Sequence, residues 1–309
     1  MLYVFYNNNI SNKLSGVLTF IKGLLLIFED LNIPYTEVNN LVSANEQMNQ
    51  GDSLFFCTSI IGDCKKSQDV FLKMQSKNIK IFVYNTEDIR NSEKWRNYLT
   101  DFLNNTAYCV MDFSKQRLDM LTNVNRFQVC PGYHEYLEQI KHELSPSFTQ
   151  NLFDVVLYGG LNERRLNIKS QLQAHNLRVK FKNNYLNQNM QLADTLGSKI
   201  VLDVYYYGPT GIDFFRCSFL ASNKIFFIHE TPSPEDTDED FLNTVVHAKY
   251  EDIPDKCIEW LAKSQEERDA KALEVYNLFK TKYNLKEQLK SNSLIQSLSE
   301  QNHSLRRSL

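Results

Sequence analysis

Residues Phe153–Arg165 read FDVVLYGGLNERR. An apolar, β-prone run meets a glycine pair, and a polar segment fit to open a helix follows. Strand, tight turn, helix start is the order in which an α/β protein builds an anion-binding turn. Gly159 and Gly160 let the backbone turn and let a phosphate approach without meeting a Cβ. The helix start supplies free N–H groups and the positive end of the helix dipole, and Asn162 is placed to cap it. Arg164 and Arg165 fall in the first turn and are expected to hold a diphosphate by charge-assisted hydrogen bonds. The stretch contains no Gly-x-Gly-x-x-Gly and no Gly-Lys-Ser/Thr, so it is neither the dinucleotide fingerprint nor a P-loop.

The same alternation runs outward in both directions. Upstream, LYVFY (2–6), Ile33–Val38, SLFFC (53–57), IKIFVY (79–84), AYCVM (107–111) and Phe127–Cys130 read as strands. Helix-like segments stand between them at Ser15–Asp30 and Asp69–Ser76, and Asp112 and Ser114 are placed to cap another helix. Downstream, strands are expected at Leu177–Lys182, Lys199–Tyr207, Lys224–His229 and around Thr244–His247. Helices are expected at Glu163–His175, Gln188–Leu196, Ile212–Ser222, Pro254–Ala262 and Gln265–Tyr283. Strands alternating with helices imply parallel sheets covered on both faces, with ligands beyond the carboxyl ends of the strands. KHELSPSFTQ (141–150) breaks the pattern. The expected division is therefore an N-terminal domain over 1–145, a C-terminal domain over 151–285 and a C-terminal helix or tail over 286–309.

The 309 residues suit two domains, and 42% apolar with 23% charged residues is ordinary for a soluble globular chain. A net charge of −3 with no long basic block excludes a nucleic-acid footprint. The six cysteines lack Cys-x-x-Cys spacing and mostly lie in apolar runs, so buried thiols in a cytoplasmic protein are expected, with no disulfide frame or zinc site. LTFIKGLLLIF (18–28) is too short to span a bilayer and is broken by Lys22, so no transmembrane segment is expected.

Further candidates lie where strands are expected to end. In YYYGPTGIDFFR (205–216), Gly208 and Gly211 shape a loop and Thr210 is placed to cap the next helix. Asp213 stands in that helix's first turn, where a carboxylate can bind ribose hydroxyls or favour the helix dipole. Arg216 can pair with Asp213 or with a phosphate. Tyr206 and Tyr207 are candidates for stacking a base, against the alternative of core and rim packing. Glu230 ends its strand and is the best carboxylate for a sugar or ribose contact. Asp236-Thr237-Asp238 spells Asp-x-Asp, but it lies in PSPEDTDED, which reads as a solvated loop and not as a metal site.

At these residues the chain resembles glycosyltransferases of the GT-B fold, particularly the CgeB-like, spore-protein-type group. YGGLNERR is similar to that group's strand, Gly-x-Leu/Met-Asn-x-Arg-Arg opening. YYYGPTGIDFFRCSFLASNKIFFIHE resembles its Tyr-rich strand, its Gly-Ile-x-Glu-x-x-Arg helix and its strand ending in Glu. YEDIPDKCIEWLAKSQEERDAKA resembles its closing helices, YNTEDI its Tyr-Asn/Gln-x-Glu-Gln segment, and VCPGYHEYL its Pro-x-Gly-Tyr strand end. The likeness runs from about residue 79 to residue 285, and Asp213 replaces the group's usual Glu.

The resemblance implies two Rossmann-like domains facing across a cleft, with a nucleotide-sugar donor on the second and a glycan, protein or small-molecule acceptor on the first. It implies no metal or other cofactor, because helix dipole and basic side chains stabilise the leaving diphosphate. Gly159, Gly160, Asn162, Arg164, Arg165, Tyr206, Tyr207, Gly211, Asp213, Arg216 and Glu230 would hold the donor. An inverting reaction also needs a general base, for which Glu87 and then His134 are the candidates. A sugar-nucleotide 2-epimerase of the same architecture and a non-catalytic nucleotide-sugar or glycan binder are the rival readings.

Overall fold

The computed structural model describes residues 1–5, 15–61, 64–87, 93–142, 152–183, 193–234 and 237–292. The chain forms two compact units. One comprises Met1–Cys130 with the segment that begins at Leu285, and the other comprises Pro131–Asn284.

In the first unit β1 (Leu2–Phe5), β2 (Tyr35–Val38), β3 (Ser53–Cys57), β4 (Lys80–Tyr84), β5 (Cys109–Asp112) and β6 (Asn125–Gln128) form one sheet in the order β2-β1-β3-β4-β5-β6. All its pairings are parallel. SLFFC is buried at every position, as a strand covered on both faces must be. The Ser15–Asp30 helix buries Val17, Phe20, Ile21, Leu24 and Phe28, the spacing of one helical face. The Phe20 ring meets Tyr84 of β4 at 4.5 Å between centroids. Among the described residues no helix is long and apolar enough to cross a membrane.

In the second unit β7 (Phe153–Tyr158), β8 (Val179–Lys182), β9 (Ser198–Asp203), β10 (Phe227–Glu230) and β11 (His247–Ala248) form a sheet in the order β11-β10-β9-β7-β8, again all parallel. Val155 and Leu157 of β7, Ile200 and Leu202 of β9, and Ile168 and Leu172 of the Glu163–Ala174 helix form a fully buried core. The chain runs from β7 to one side, into β8, and then to the other side, into β9. The order therefore reverses between β7 and β9, the point where an open α/β sheet forms a crevice beyond the carboxyl ends of its strands. Two parallel α/β sheets of Rossmann type are the fold class expected from the sequence.

Several elements differ from expectation. The strand expected over 199–207 stops at Asp203, because the next backbone groups bond to side chains: the Val204 carbonyl accepts from Arg165, and the Tyr205 N–H donates to Glu230 at 3.0 Å. Around 244–248 only His247–Ala248 is a strand, and Thr244 ends the Glu239–Thr244 helix. KHELSPSFTQ from residue 143 on, and most of the helix expected at Gln188–Leu196, lie outside the described residues.

The units also divide elsewhere than at residues 145–151. The segment from Pro131 belongs to the second unit: Ser218 Oγ donates to the Pro131 carbonyl, and Tyr133 N–H donates to the Tyr283 carbonyl at 2.8 Å. Leu285–Ser291 is a helix of the first unit, where Lys286 pairs with Asp30 at 2.9 Å and the Cys130 N–H donates to Gln288 at 2.8 Å. The thiols of Cys57, Cys109, Cys130, Cys217 and Cys257 are buried.

The Tyr283 backbone explains the glycine of Pro131-Gly132-Tyr133. A Cβ on Gly132 would stand 1.7 Å from the Tyr283 carbonyl oxygen, whereas one on Gly208 would meet nothing within 4 Å. Gly132→Ala is expected to destabilise the protein by at least about 1–3 kcal/mol, and Gly208→Ala by less than about 0.5 kcal/mol. Urea midpoints of the two variants test this contrast.

Candidate functional site

The crevice between the β7 and β9 loops collects most of the sequence candidates. Gly159 leaves β7 with φ +110, a conformation that L side chains rarely adopt. A Cβ there would lie 3.2 Å from Nη2 of Arg216 and 3.3 Å from Nη1 of Arg165. The glycine is thus the floor over which two guanidinium groups converge. Gly160 lies under the Tyr206 ring, where a Cβ would come within 3.1 Å of Cε2. Asn162 caps the Glu163–Ala174 helix, its side chain accepting from the Arg165 N–H at 3.1 Å and donating to the Tyr206 carbonyl.

The three arginines differ sharply in what holds them. Arg164 forms a bidentate pair with Glu230 (2.7 Å on one arm, with Nη2 on Oε1 in the other), donates to the Tyr205 carbonyl at 2.9 Å, and stacks 4.0 Å over the Tyr250 ring. Glu230 is only 1% exposed, and both its oxygens are engaged. The two residues expected to meet phosphate and sugar therefore meet each other. They join the first turn of a helix to the end of β10, and their position fits a structural pair.

Arg216 is held by Asp203, the last residue of β9, at 2.6 Å, with Asp213 farther off at 3.9 Å, and it lies 4.9 Å over the Tyr158 ring. Burial opposes its charge, but Asp203 and Asp213 outweigh burial and raise its pKa. Arg165 is buried and donates to the carbonyls of Val204 and Gly160, the latter at 2.7 Å. Among the described residues no carboxylate lies within ion-pairing distance of it. Burial and then the neighbouring Arg216 push its pKa down to about 10, so it stays charged at neutral pH. A buried cation that faces a second cation above a glycine turn is electrostatically unfavourable, and an anion there would relieve it.

The remaining candidates form the rim. Asp213, and not Thr210, caps the Phe214–Ser222 helix, accepting from the Arg216 N–H at 3.2 Å. Its side chain is 38% exposed, and crowding by protein followed by the Asp203 charge raises its pKa. Gly211 is buried, and its carbonyl accepts from the Tyr205 hydroxyl at 3.2 Å. Tyr206 and Tyr207 meet edge to face at 4.8 Å, and Tyr207 is 78% exposed, so an aromatic surface borders the crevice. Asp238 of the Asp-x-Asp run caps the Glu239–Thr244 helix and pairs with Lys282 at 2.8 Å, a structural assignment; Asp236 lies outside the described residues.

The two base candidates fall on different units. Glu87 follows β4 in the first unit, in a turn closed by Asn85, whose side chain donates to its carbonyl at 3.1 Å and accepts from its N–H at 3.2 Å. Asn85 is itself fixed by Thr58 and by Asp112, and Asp112 is paired with Arg117, so a buried polar network holds this edge. His134 belongs to the second unit and is buried, and that burial alone lowers its pKa from 6.5 to about 3. An imidazole of that kind is a packed neutral group and a poor proton acceptor at neutral pH. Asp203 was missed in the sequence, although an acid inside the apolar run KIVLDVYYY was a visible signal.

No family model matches the chain, and no curated protein matches it. Solved structures do match it in fold. The trehalose-6-phosphate synthase of E. coli, solved with UDP-2-fluoro glucose, aligns with a TM-score of 0.58 at 9% identity over 96% of this chain and 98% of its own. HepE of Anabaena, solved with UDP-glucose, gives 0.56 at 9% over 100% and 99%. TarM gives 0.54 at 12% over 84% of this chain, which spans 57% of TarM. The fold is that of the GT-B glycosyltransferases, and at these identities the likeness is one of fold alone.

Two outcomes follow from the geometry. Arg164→Ala strands the buried Glu230 carboxylate and is expected to cost about 3–5 kcal/mol, read as a lower urea midpoint. For His134, the unfolded chain takes up a proton below about pH 6.5 that the folded chain refuses until about pH 3. Its contribution is complete above 6.5 and declines as pH falls toward 3. His134→Phe is expected to flatten the stability profile in that window relative to the parent, measured by urea titration across it.

Proposed function

We propose that this protein is a glycosyltransferase of the CgeB-like group whose second unit binds a nucleoside-diphosphate sugar. The observation that carries the reading is the convergence of Arg165 and Arg216 over Gly159 at the reversal point of the sheet, with the N-terminus of the Glu163–Ala174 helix beside it. The diphosphate would lie over the two glycines. Both guanidinium groups would meet the charge that grows on it as the bond to the sugar breaks, so a bound metal is not required for that step. Tyr206 and Tyr207 would border the base, and Asp213 is the carboxylate left open for a ribose hydroxyl.

UDP-sugar complexes of fold neighbours support a nucleotide-sugar donor. A glycan, protein or small-molecule acceptor would be taken by the first unit, where Thr58, Thr86 and Glu87 stand at the carboxyl ends of β3 and β4. Glu87 is the proposed base if the reaction inverts. A cytoplasmic setting suits the free buried thiols.

The test is calorimetry and thermal shift against UDP, GDP, CDP, ADP and their sugars. One nucleoside diphosphate is expected to stabilise the parent. Arg165→Ala and Arg216→Ala are each expected to weaken it about 10- to 100-fold, the worth of a hydrogen bond to a charged group. Unchanged affinity in both variants would overturn the assignment. Incubation with nucleotide sugar and no acceptor separates a transferase from a 2-epimerase, since only the latter accumulates a new sugar nucleotide.

A further inference from the structure

Directly behind Arg216 lies a second polar cluster that the donor reading does not use. Asp203, Cys217 and His229 are all buried, on β9, on the Phe214–Ser222 helix and on β10. Their ligand-type atoms lie within 4.8 Å of one another. Asp203 divides its two oxygens: Oδ1 accepts from Arg216, while Oδ2 faces Cys217 Sγ at 3.6 Å and His229 Nε2 at 3.5 Å.

His229 is the anomaly. It is 1% exposed, and neither ring nitrogen has a hydrogen-bond partner. Its remaining neighbours are the edges of Tyr205 and Phe241, at 5.5 and 5.3 Å between centroids. The Tyr205 hydroxyl is directed instead at Gly211. Leaving a buried imidazole nitrogen unpaired is costly, and such a group calls for an explanation, an unseen ion among them. A thiol proton on Cys217 satisfies Asp203 but does nothing for His229. A cation at the centre of the three engages Asp203, Cys217 and one ring nitrogen of His229.

Two of the three spacings fit that cation. Tetrahedral zinc with bonds of about 2.3 Å to sulfur and about 2.0–2.2 Å to nitrogen and oxygen separates O from S by about 3.5–3.7 Å, and O from N by about 3.3–3.5 Å. The observed 3.6 and 3.5 Å are those edges. The third edge, from Cys217 to His229, lies within 4.8 Å, and the ion would draw these two side chains together to reach its own edge of about 3.5 Å. A thiolate and an imidazole with one carboxylate select zinc over magnesium or calcium.

We infer that Asp203, Cys217 and His229 form a buried zinc site that ties together β9, β10 and the Phe214–Ser222 helix. The fourth tetrahedral position is left to water or a small ligand. A thiolate ligand gives up its proton to the ion, so uptake falls as pH falls. The ion would fix the Asp203 carboxylate whose other oxygen aims Arg216. The inference does not rest on the donor reading.

The test uses the full chain. Elemental analysis of the purified protein is expected to give about one zinc per chain. Chelation should lower the melting temperature and zinc should restore it. Cobalt(II) in its place should give a thiolate-to-metal charge-transfer band. Cys217→Ser should abolish that band and the zinc content, while Cys257→Ser, at another buried thiol, should keep both. The parent's own metal content and cobalt spectrum decide the matter if Cys217→Ser fails to fold. No metal on isolation and no uptake of zinc or cobalt would overturn the site, as would metal retained in both Cys217→Ser and His229→Ala.

Discussion

Three guanidinium groups are drawn into the carboxyl edge of the second sheet, and each must answer for a desolvation cost of several kcal/mol. Arg164 answers with Glu230, at the end of β10. Arg216 answers with Asp203, at the end of β9. Arg165 answers with backbone carbonyls and the face of the Tyr206 ring. These pairings set the local fold as much as they are set by it. Val204 and Tyr205 leave the ladder because Arg165 and Glu230 take their backbone groups. The loop that carries Tyr206 to Asp213 begins where the pairings require it.

Much of this architecture was legible in the sequence, because parallel strands buried on both faces write themselves as apolar runs. FDVVLY matches β7 residue for residue, and Asn162 caps the helix it was expected to cap. Other elements were illegible for physical reasons. KIVLDVYYY looks like one strand because tyrosines are as β-prone as valines, and nothing local says that side chains from positions 165 and 230 will claim its last amides. Pro131-Gly132-Tyr133 reads as a strand-end loop of the first domain, and its attachment to Tyr283 is a contact between segments 150 residues apart in sequence.

The arginine pair shows the same limit at the level of the site. A sequence places Arg164 and Arg165 side by side in one helical turn, but consecutive helical positions point about 100° apart. One is directed to Glu230 and Tyr250, the other to Val204 and Gly160. The second wall of the cradle comes from Arg216, about fifty residues on, and only the reversal of strand order between β7 and β9 brings it near Gly159.

The division of labour among these charges bears on how an anion would be held. Arg216 is aimed by a carboxylate that the ligand does not touch, and Arg165 by carbonyls that stay in place whether or not the crevice is filled. Neither needs to reorient on binding, so the electrostatic cost of assembling the cradle is met during folding. What an incoming diphosphate changes is the environment of Arg165. Its charge is disfavoured by burial and by Arg216, and an anion over Gly159 would relieve both cations at once. The force that makes this edge of the sheet expensive to fold is thus the one that would make it favour a negative ligand.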